Sequence, residues 1–230
     1  MHEKHASPLY ELLSGQKLNQ QSLQSYLDKL SSSAATPGGG AVAAVTGAQA
    51  AALISMVCNL TKGKTKESAS DSAEALKKEI QAINNRAEQA RGQFDQLADD
   101  DIEGFNQVMA AYKLPRSNSQ ERTVQHNALQ DALKQAAQAP LATATLASNL
   151  AQDIQRLSEI GNKNLVTDVG IAALLVPTTV QAARMNVLIN LASMEDEQFK
   201  ITALTAIEKA TSHALPLTKL ADSICTSLLK

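Results

Sequence analysis

The chain is poor in aromatic residues. Its 230 residues include three Phe, three Tyr and no Trp. That leaves few platforms for base stacking, and the 21 Lys and Arg are scattered and balanced by 23 Asp and Glu, net −2. Together these exclude a nucleic-acid surface. Strands favour aromatic and β-branched residues, and no segment alternates apolar and polar with period two, so a sheet is not expected. Cysteine is equally scarce. Cys58 and Cys225 stand far apart in apolar surroundings, which suits reduced core thiols in a cytoplasmic protein better than a disulfide. His2, His5, His126 and His213 show no ligand spacing, so no metal site is expected. The N-terminus, MHEKHASPLYELL, lacks the apolar core of a signal peptide.

Charge is also missing from one long stretch: no charged residue lies between Lys29 and Lys62. Such a run is long enough to cross a membrane. Gly47, Gln49, Ser55, Asn59 and many alanines dilute its hydrophobicity, however, and no Trp or Tyr marks either end. A helix apolar on nearly all sides is also the centre of a helical bundle, and that is the reading adopted, with no membrane partner.

What is abundant is Ala, Leu, Gln, Lys and Glu in helical patterns. Residues 1–230 read as one all-α domain, a single up-and-down helical bundle, with residues 1–17 as an N-terminal extension. A first amphipathic helix is expected over Asn19–Ser32, with Leu23, Leu27 and Leu30 on one face. The loop Ala34–Gly40 leads to an apolar helix over Ala41–Leu60. From Ser68 to Leu114 the pattern is helical throughout, with a break possible in so long a run. Leu76, Ile80, Ile83, Ala87, Ala90, Phe94 and Leu97 form its seam. Asn118-Ser119-Gln120-Glu121 has the form of a capping box. Pro140 suits the first turn of the next helix and Gly161 its C-terminal cap. A second apolar helix, Asp168–Leu191, should bend or break at Pro177. The last should start near Ser193, with Asp196 three residues on, and run close to Lys230.

The seam continues past Leu97 onto Asp101, then Gly104 and Val108. A carboxylate therefore stands where a core residue is expected, and burial would raise its pKa toward that of a general acid or base. A solvated acidic patch, Asp99-Asp100-Asp101, is the alternative. Gly38, Gly39 and Gly40 open a helix whose free N–H groups suit an anion or an electron-rich ligand edge, or simply form its first turn. The run lacks the Gly-Lys-Ser/Thr ending of a Walker loop. Asp168 and Arg184 are the only charges in the second apolar helix, and about 24 Å of helix would separate them. Asn186 and Asn190 share a face there, suited to a planar heterocycle or to capping neighbouring helices. Chemistry in this chain must run on carboxylates, amides and backbone dipoles, a set suited to an already activated electrophile.

Four segments together resemble the cyclodeaminase/cyclohydrolase family of one-carbon folate metabolism. TPGGGAVAAVTGAQAAALISMVCNLTKGKTK is similar to its Pro-Gly-Gly-Gly helix and following Gly-Lys segment. DDDIEGFNQVMAAYKLPR resembles its Asp-containing helix, and GNKNLVTDVGIAALL and ARMNVLINLASMED resemble two further signatures. Ala41 stands where the family often has serine, Pro177 interrupts a helix usually free of proline, and Thr65 separates Lys64 from Lys66. The resemblance implies a homodimeric helical bundle with a folate site at the glycine-rich helix start and no cofactor beyond the tetrahydrofolate substrate. It implies hydrolysis of 5,10-methenyltetrahydrofolate, or cyclisation of 5-formiminotetrahydrofolate with loss of ammonia. On that reading Asp101 transfers the proton, Asp168 is its partner or clamps the pterin amino group, and Gly38, Gly39 and Gly40 hold the ligand. Lys62, Lys64 and Lys113 would attract the glutamate tail, unless they form an ordinary solvated face. A non-catalytic folate-binding or scaffold module is the competing reading. It turns on whether Asp101 lines a pocket with the glycines or faces open solvent.

Overall fold

A computed structural model describes residues 17–62 and 71–228. Lys64 and all of the N-terminal extension but Lys17 lie outside the described residues. Among the described residues nine α-helices follow in order: α1 Leu23–Leu30, α2 Gly39–Lys62, α3 Asp71–Tyr112, α4 Ser119–Ala136, α5 Gln138–Asn149, α6 Ala151–Ile160, α7 Val166–Ala192, α8 Glu197–Ala214 and α9 Pro216–Ser227. Among the described residues there is no strand.

The two apolar helices form the centre. α2 packs along α3 on one side and α7 on the other, and α5, α8 and α9 complete the wall around α7. Ala43, Ala44, Ala50, Ala51, Ile54, Val57 and Cys58 of α2 are buried. Its small residues let neighbours approach closely: a Cβ on Gly47 would meet the Phe94 ring at 2.6 Å. Both α2 and α7 are long and apolar enough to cross a membrane, though α2 is mostly enclosed by the bundle.

The α3 seam is buried as its spacing demands. Ile80, Ile83, Ala87, Ala90 and Phe94 are inside, and Gly104, Val108 and Ala111 continue the stripe beyond Asp101. No break occurs in its 42 residues. α3 and α2 run antiparallel, with Gly40 level with Asp101 and Gly47 with Phe94. α2 and α7 do too, since Gly39 lies beside Asn186 and Leu53 beside Ala172.

Several expectations need correction. The first helix is short, and it buries Tyr26 rather than Leu23 and Leu27, which are exposed. The preceding turn is instead fixed to α3, where Asp99 accepts a hydrogen bond from the Leu18 N–H at 2.9 Å. The segment from Pro140 to Gly161 is two helices that meet at Leu150, with Gly161 capping the second. Asp196, not Ser193, caps α8 by accepting from the Phe199 N–H at 2.9 Å. That final stretch is divided before Pro216, which opens α9. Helix α7 is not broken at Pro177. Proline removes one backbone hydrogen bond, and burial of Val176, Thr179 and Val180 around it holds the helix together. The capping box is present: Asn118 accepts from the Glu121 N–H at 2.9 Å, and Glu121 accepts from the Ser117 N–H at 2.7 Å.

Two ion pairs tie α3 to α6, Arg156 with Glu79 and Arg86 with Asp153. Arg86 donates twice to Asp153, at 3.0 and 2.5 Å, and the Asp153 side chain is only 8% exposed. Removing the guanidinium would strand a buried carboxylate. Arg86→Met should therefore lower unfolding free energy by about 2–4 kcal/mol. Urea denaturation checks this, and a change within error would show that Asp153 is solvated without Arg86.

Candidate active site

The start of α2 faces α3 and the C-terminal half of α7 across a cleft of about 510 Å³. Gly38, Gly39 and Gly40 form one lip, following the cis Thr36–Pro37 peptide. Asp101, Phe105, Met109 and Tyr112 descend from α3, and Asn186, Ile189 and Asn190 come from α7. Leu133 and Ala136 close the floor from α4. The volume falls in the usual range for small-molecule sites.

Among the described residues, Asp101 is the single one with a full charge lining this cleft. It is half-buried. Its carboxylate lies against Gly40, so closely that a Cβ there would fall on it. It also accepts a hydrogen bond from the Ala41 N–H, one of the groups at a helix start that has no intrahelical partner. Burial pushes the Asp101 carboxyl above its ordinary value, and the Ala41 hydrogen bond opposes that shift without cancelling it. The result is a half-buried carboxyl group with a raised pKa, set into the positive end of a helix.

The three glycines differ in their surroundings. A Cβ on Gly38 would come no nearer than 3.8 Å to the Ala35 carbonyl oxygen, and one on Gly39 would lie 3.7 Å from Asn186 Nδ2. Only Gly40 is required by the carboxylate. Asn186 and Asn190 each donate an Nδ2 hydrogen to a carbonyl one turn earlier, Ala182 and Asn186 respectively, both at 2.9 Å. Those bonds fix the amides at the cleft wall and leave the Oδ1 atoms as its acceptors.

Asp168 does not join Asp101 within this chain. It stands in the first turn of α7, beside Leu53, Ile54 and Leu157 in an apolar crevice. Eighteen residues separate it from Asn186, about 27 Å of helix. Lys62 is likewise at the far end of α2, 22 residues and about 33 Å of helix from Gly40. Lys113 follows Tyr112 in an exposed turn at the cleft's rim and is not part of the wall. The resemblance had grouped residues that stand at opposite ends of α2 and α7 within one chain.

The apolar wall of the cleft is new. Phe105 and Tyr112 belong to a chain with only three Phe and three Tyr. With Met109 they follow Asp101 at spacings of four, four and three, so one face of α3 carries the carboxylate and the hydrophobic wall together. That spacing is visible in the sequence. Among the described residues, no three of His, Cys, Asp and Glu come together as a metal-binding group.

A helical bundle with a carboxylate-and-glycine cleft at one end defines a class, and comparison with known proteins places the chain within it. A family model described as formiminotransferase-cyclodeaminase matches residues 22–209, and the chain belongs to that family. It is 36% identical over 194 residues to the methenyltetrahydrofolate cyclohydrolase of Methylorubrum extorquens, covering 84% of this chain and 90% of that protein. It is 36% identical over 185 residues to the formimidoyltransferase-cyclodeaminase of Rattus norvegicus, covering 80% of this chain but 33% of that longer protein. The crystal structure of formiminotetrahydrofolate cyclodeaminase from Thermotoga maritima superposes with a TM-score of 0.78 at 33% identity, covering 92% of this chain and 99% of that one.

Proposed function

We propose that the chain is a one-carbon folate enzyme that hydrolyses 5,10-methenyltetrahydrofolate to 10-formyltetrahydrofolate, with Asp101 as the proton-transfer group. The observation that carries this reading is the Asp101 carboxylate, lodged at a helix start in a cleft that has no cationic lining residue among the described residues. The methenyl carbon bridges N5 and N10 as a cationic amidinium, so a half-buried negative charge complements it. Water adds to that carbon while Asp101 takes the proton. The carboxylic acid so formed then protonates N5, and as the C–N5 bond breaks the hydroxyl of the adduct gives its proton to the regenerated Asp101 carboxylate or to water, leaving the formyl group on N10. Phe105, Met109 and Tyr112 provide an apolar surface for the planar rings, and the Asn186 and Asn190 oxygens accept from ring N–H groups. No cofactor beyond the folate enters these steps.

Cyclodeamination is the second reading, favoured by the Thermotoga maritima cyclodeaminase, which matches over nearly its whole length. There N10 attacks the formimino carbon, and Asp101 delivers the proton with which ammonia leaves. We further place the protein in the cytoplasm as a homodimer. Cys58 and Cys225, not joined in a disulfide, support the location, and exposed Ile171, Leu174, Met185 and Ile189 on α7 support the assembly.

The absorbance of the methenyl chromophore separates the readings. Purified protein with 5,10-methenyltetrahydrofolate should speed loss of the band above the buffer rate. Growth of the band from 5-formiminotetrahydrofolate would assign the deaminase instead. Binding of both compounds with turnover of neither would make this a non-catalytic folate module.

A further inference from the structure

Asp99 and Asp101 stand on different sides of one turn of α3, because two residues along a helix rotate it by about 200°. Asp101 lines the cleft and Asp99 does not. Asp99 is half-buried on its own side, where it accepts the Leu18 N–H at 2.9 Å. That N–H opens the short 3₁₀ turn Leu18–Gln20, and no carbonyl within the turn can satisfy it. A carboxylate acceptor makes the bond stronger than a neutral one would.

The bond holds the Leu18 side chain over a small cluster at the cleft end of the bundle. Ala41, Ala44 and Ala98 are buried there, and Leu18, Val45, Leu97 and Ile102 pack around them. The alanines are not part of the main core. Ala41 and Ala44 belong to the first two turns of α2, and Ala98 to the turn of α3 just before Asp101. Alanines bury little area, so the bulk that seats α2 on α3 here comes from the larger residues around them. Val45, Leu97 and Ile102 belong to the two helices themselves. Among the described residues of the cluster, Leu18 alone comes from outside that pair.

Ala41 is also the residue whose N–H meets the Asp101 carboxylate. We infer that Asp99 is a positioning residue: by holding Leu18 on Ala41, Ala44 and Ala98, it seats the first turn of α2 and keeps the Ala41 N–H on Asp101. The Ala41 bond aims the Asp101 carboxylate, and a general base works only when aimed at the proton it takes. The seating stands on Leu18 and Asp99, while its effect on turnover rests on the function proposed above.

Amide exchange in heavy water, followed residue by residue by NMR, reads the seating without any substrate. In Asp99→Ala the Ala41 N–H should exchange about tenfold faster than in the wild type, with Ile54 in mid-α2 unchanged. Leu18→Ala keeps the carboxylate but removes the side chain it positions, and should do the same. Asp99→Asn removes the charge but keeps an oxygen for the Leu18 N–H, so it should exchange like the wild type. With 5,10-methenyltetrahydrofolate, kcat of both alanine variants should fall about tenfold with KM within about twofold, and Asp99→Asn should restore most of it. The double variant Leu18→Ala, Asp99→Ala should be no slower than the worse single one, because both break one link. The inference is overturned if Ala41 exchange is unchanged in either alanine variant, or if Ile54 accelerates equally. It is also overturned if Asp99→Asn behaves like Asp99→Ala, if the two losses add, or if exchange rises with turnover intact. Should Asp99→Ala fail to fold, Leu18→Ala decides by the same readings. A wild type that turns over neither folate, with Ala41 exchange still dependent on Leu18 and Asp99, would keep the seating and remove the folate reading.

Discussion

Asp101→Asn should lower turnover by about 10²–10⁴-fold while folate affinity changes little, because general acid–base catalysis contributes on that scale. Asparagine keeps the shape and can still accept the Ala41 N–H, but it cannot carry the proton. The same substitution should raise thermal stability at neutral pH. A carboxyl whose pKa is higher in the folded chain holds its proton more tightly there than in the unfolded chain. Its ionisation therefore opposes folding progressively as pH rises from the ordinary value, near 3.9, through the raised one. Melting temperatures of the two proteins should differ at pH 7, with the variant higher, and should converge below about pH 3.9. A variant less stable at pH 7 would show that the helix start holds the carboxylate more strongly than burial disfavours it. Unchanged turnover would remove Asp101 from the proton path.

Gly40→Ala should be nearly as damaging to activity, by a different route. The added methyl occupies the space of the Asp101 carboxylate, which must then leave the Ala41 N–H and shift by more than an ångström. Displacements of that size commonly cost about 10²-fold in rate. Gly38→Ala and Gly39→Ala meet no atom within 3.7 Å and should retain activity within a few-fold. The three rates, measured with protein shown to be folded by circular dichroism, should fall in that order. Equal losses at all three positions would mean that the glycines act mainly by admitting the ligand to the backbone, and that the fit of Asp101 against Gly40 is incidental.

Much of the fold was legible because periodicity survives in the sequence. Of the seven residues of the α3 seam, Ile80, Ile83, Ala87, Ala90 and Phe94 are buried, while Leu76 and Leu97 at its ends are half-buried. The same spacing marked Asp101 as out of place, and Asn118-Ser119-Gln120-Glu121 marked a helix start through local hydrogen bonds alone. Boundaries were less legible where they depend on packing. Pro177 carries a strong local signal against helix, yet the burial around it outweighs the one lost hydrogen bond. Leu23 and Leu27 have a correct amphipathic pattern but no neighbour in the chain to cover them.

The site divides along the same line. The sequence by itself determined the all-helical class, the two apolar central helices, the carboxylate on the α3 seam and the glycine run that opens α2. These follow from side-chain spacing and backbone preference within a turn or two of helix. Only the tertiary structure decided which of them meet. Antiparallel packing of α2 on both α3 and α7 brings Gly40, Asp101 and Asn186 together from three distant segments, and carries Lys62 and Asp168 to the opposite end. Spacing along a helix fixes the face a residue occupies, but the level at which it meets its neighbours is set by interlocking contacts such as Gly47 against Phe94, which no single segment contains.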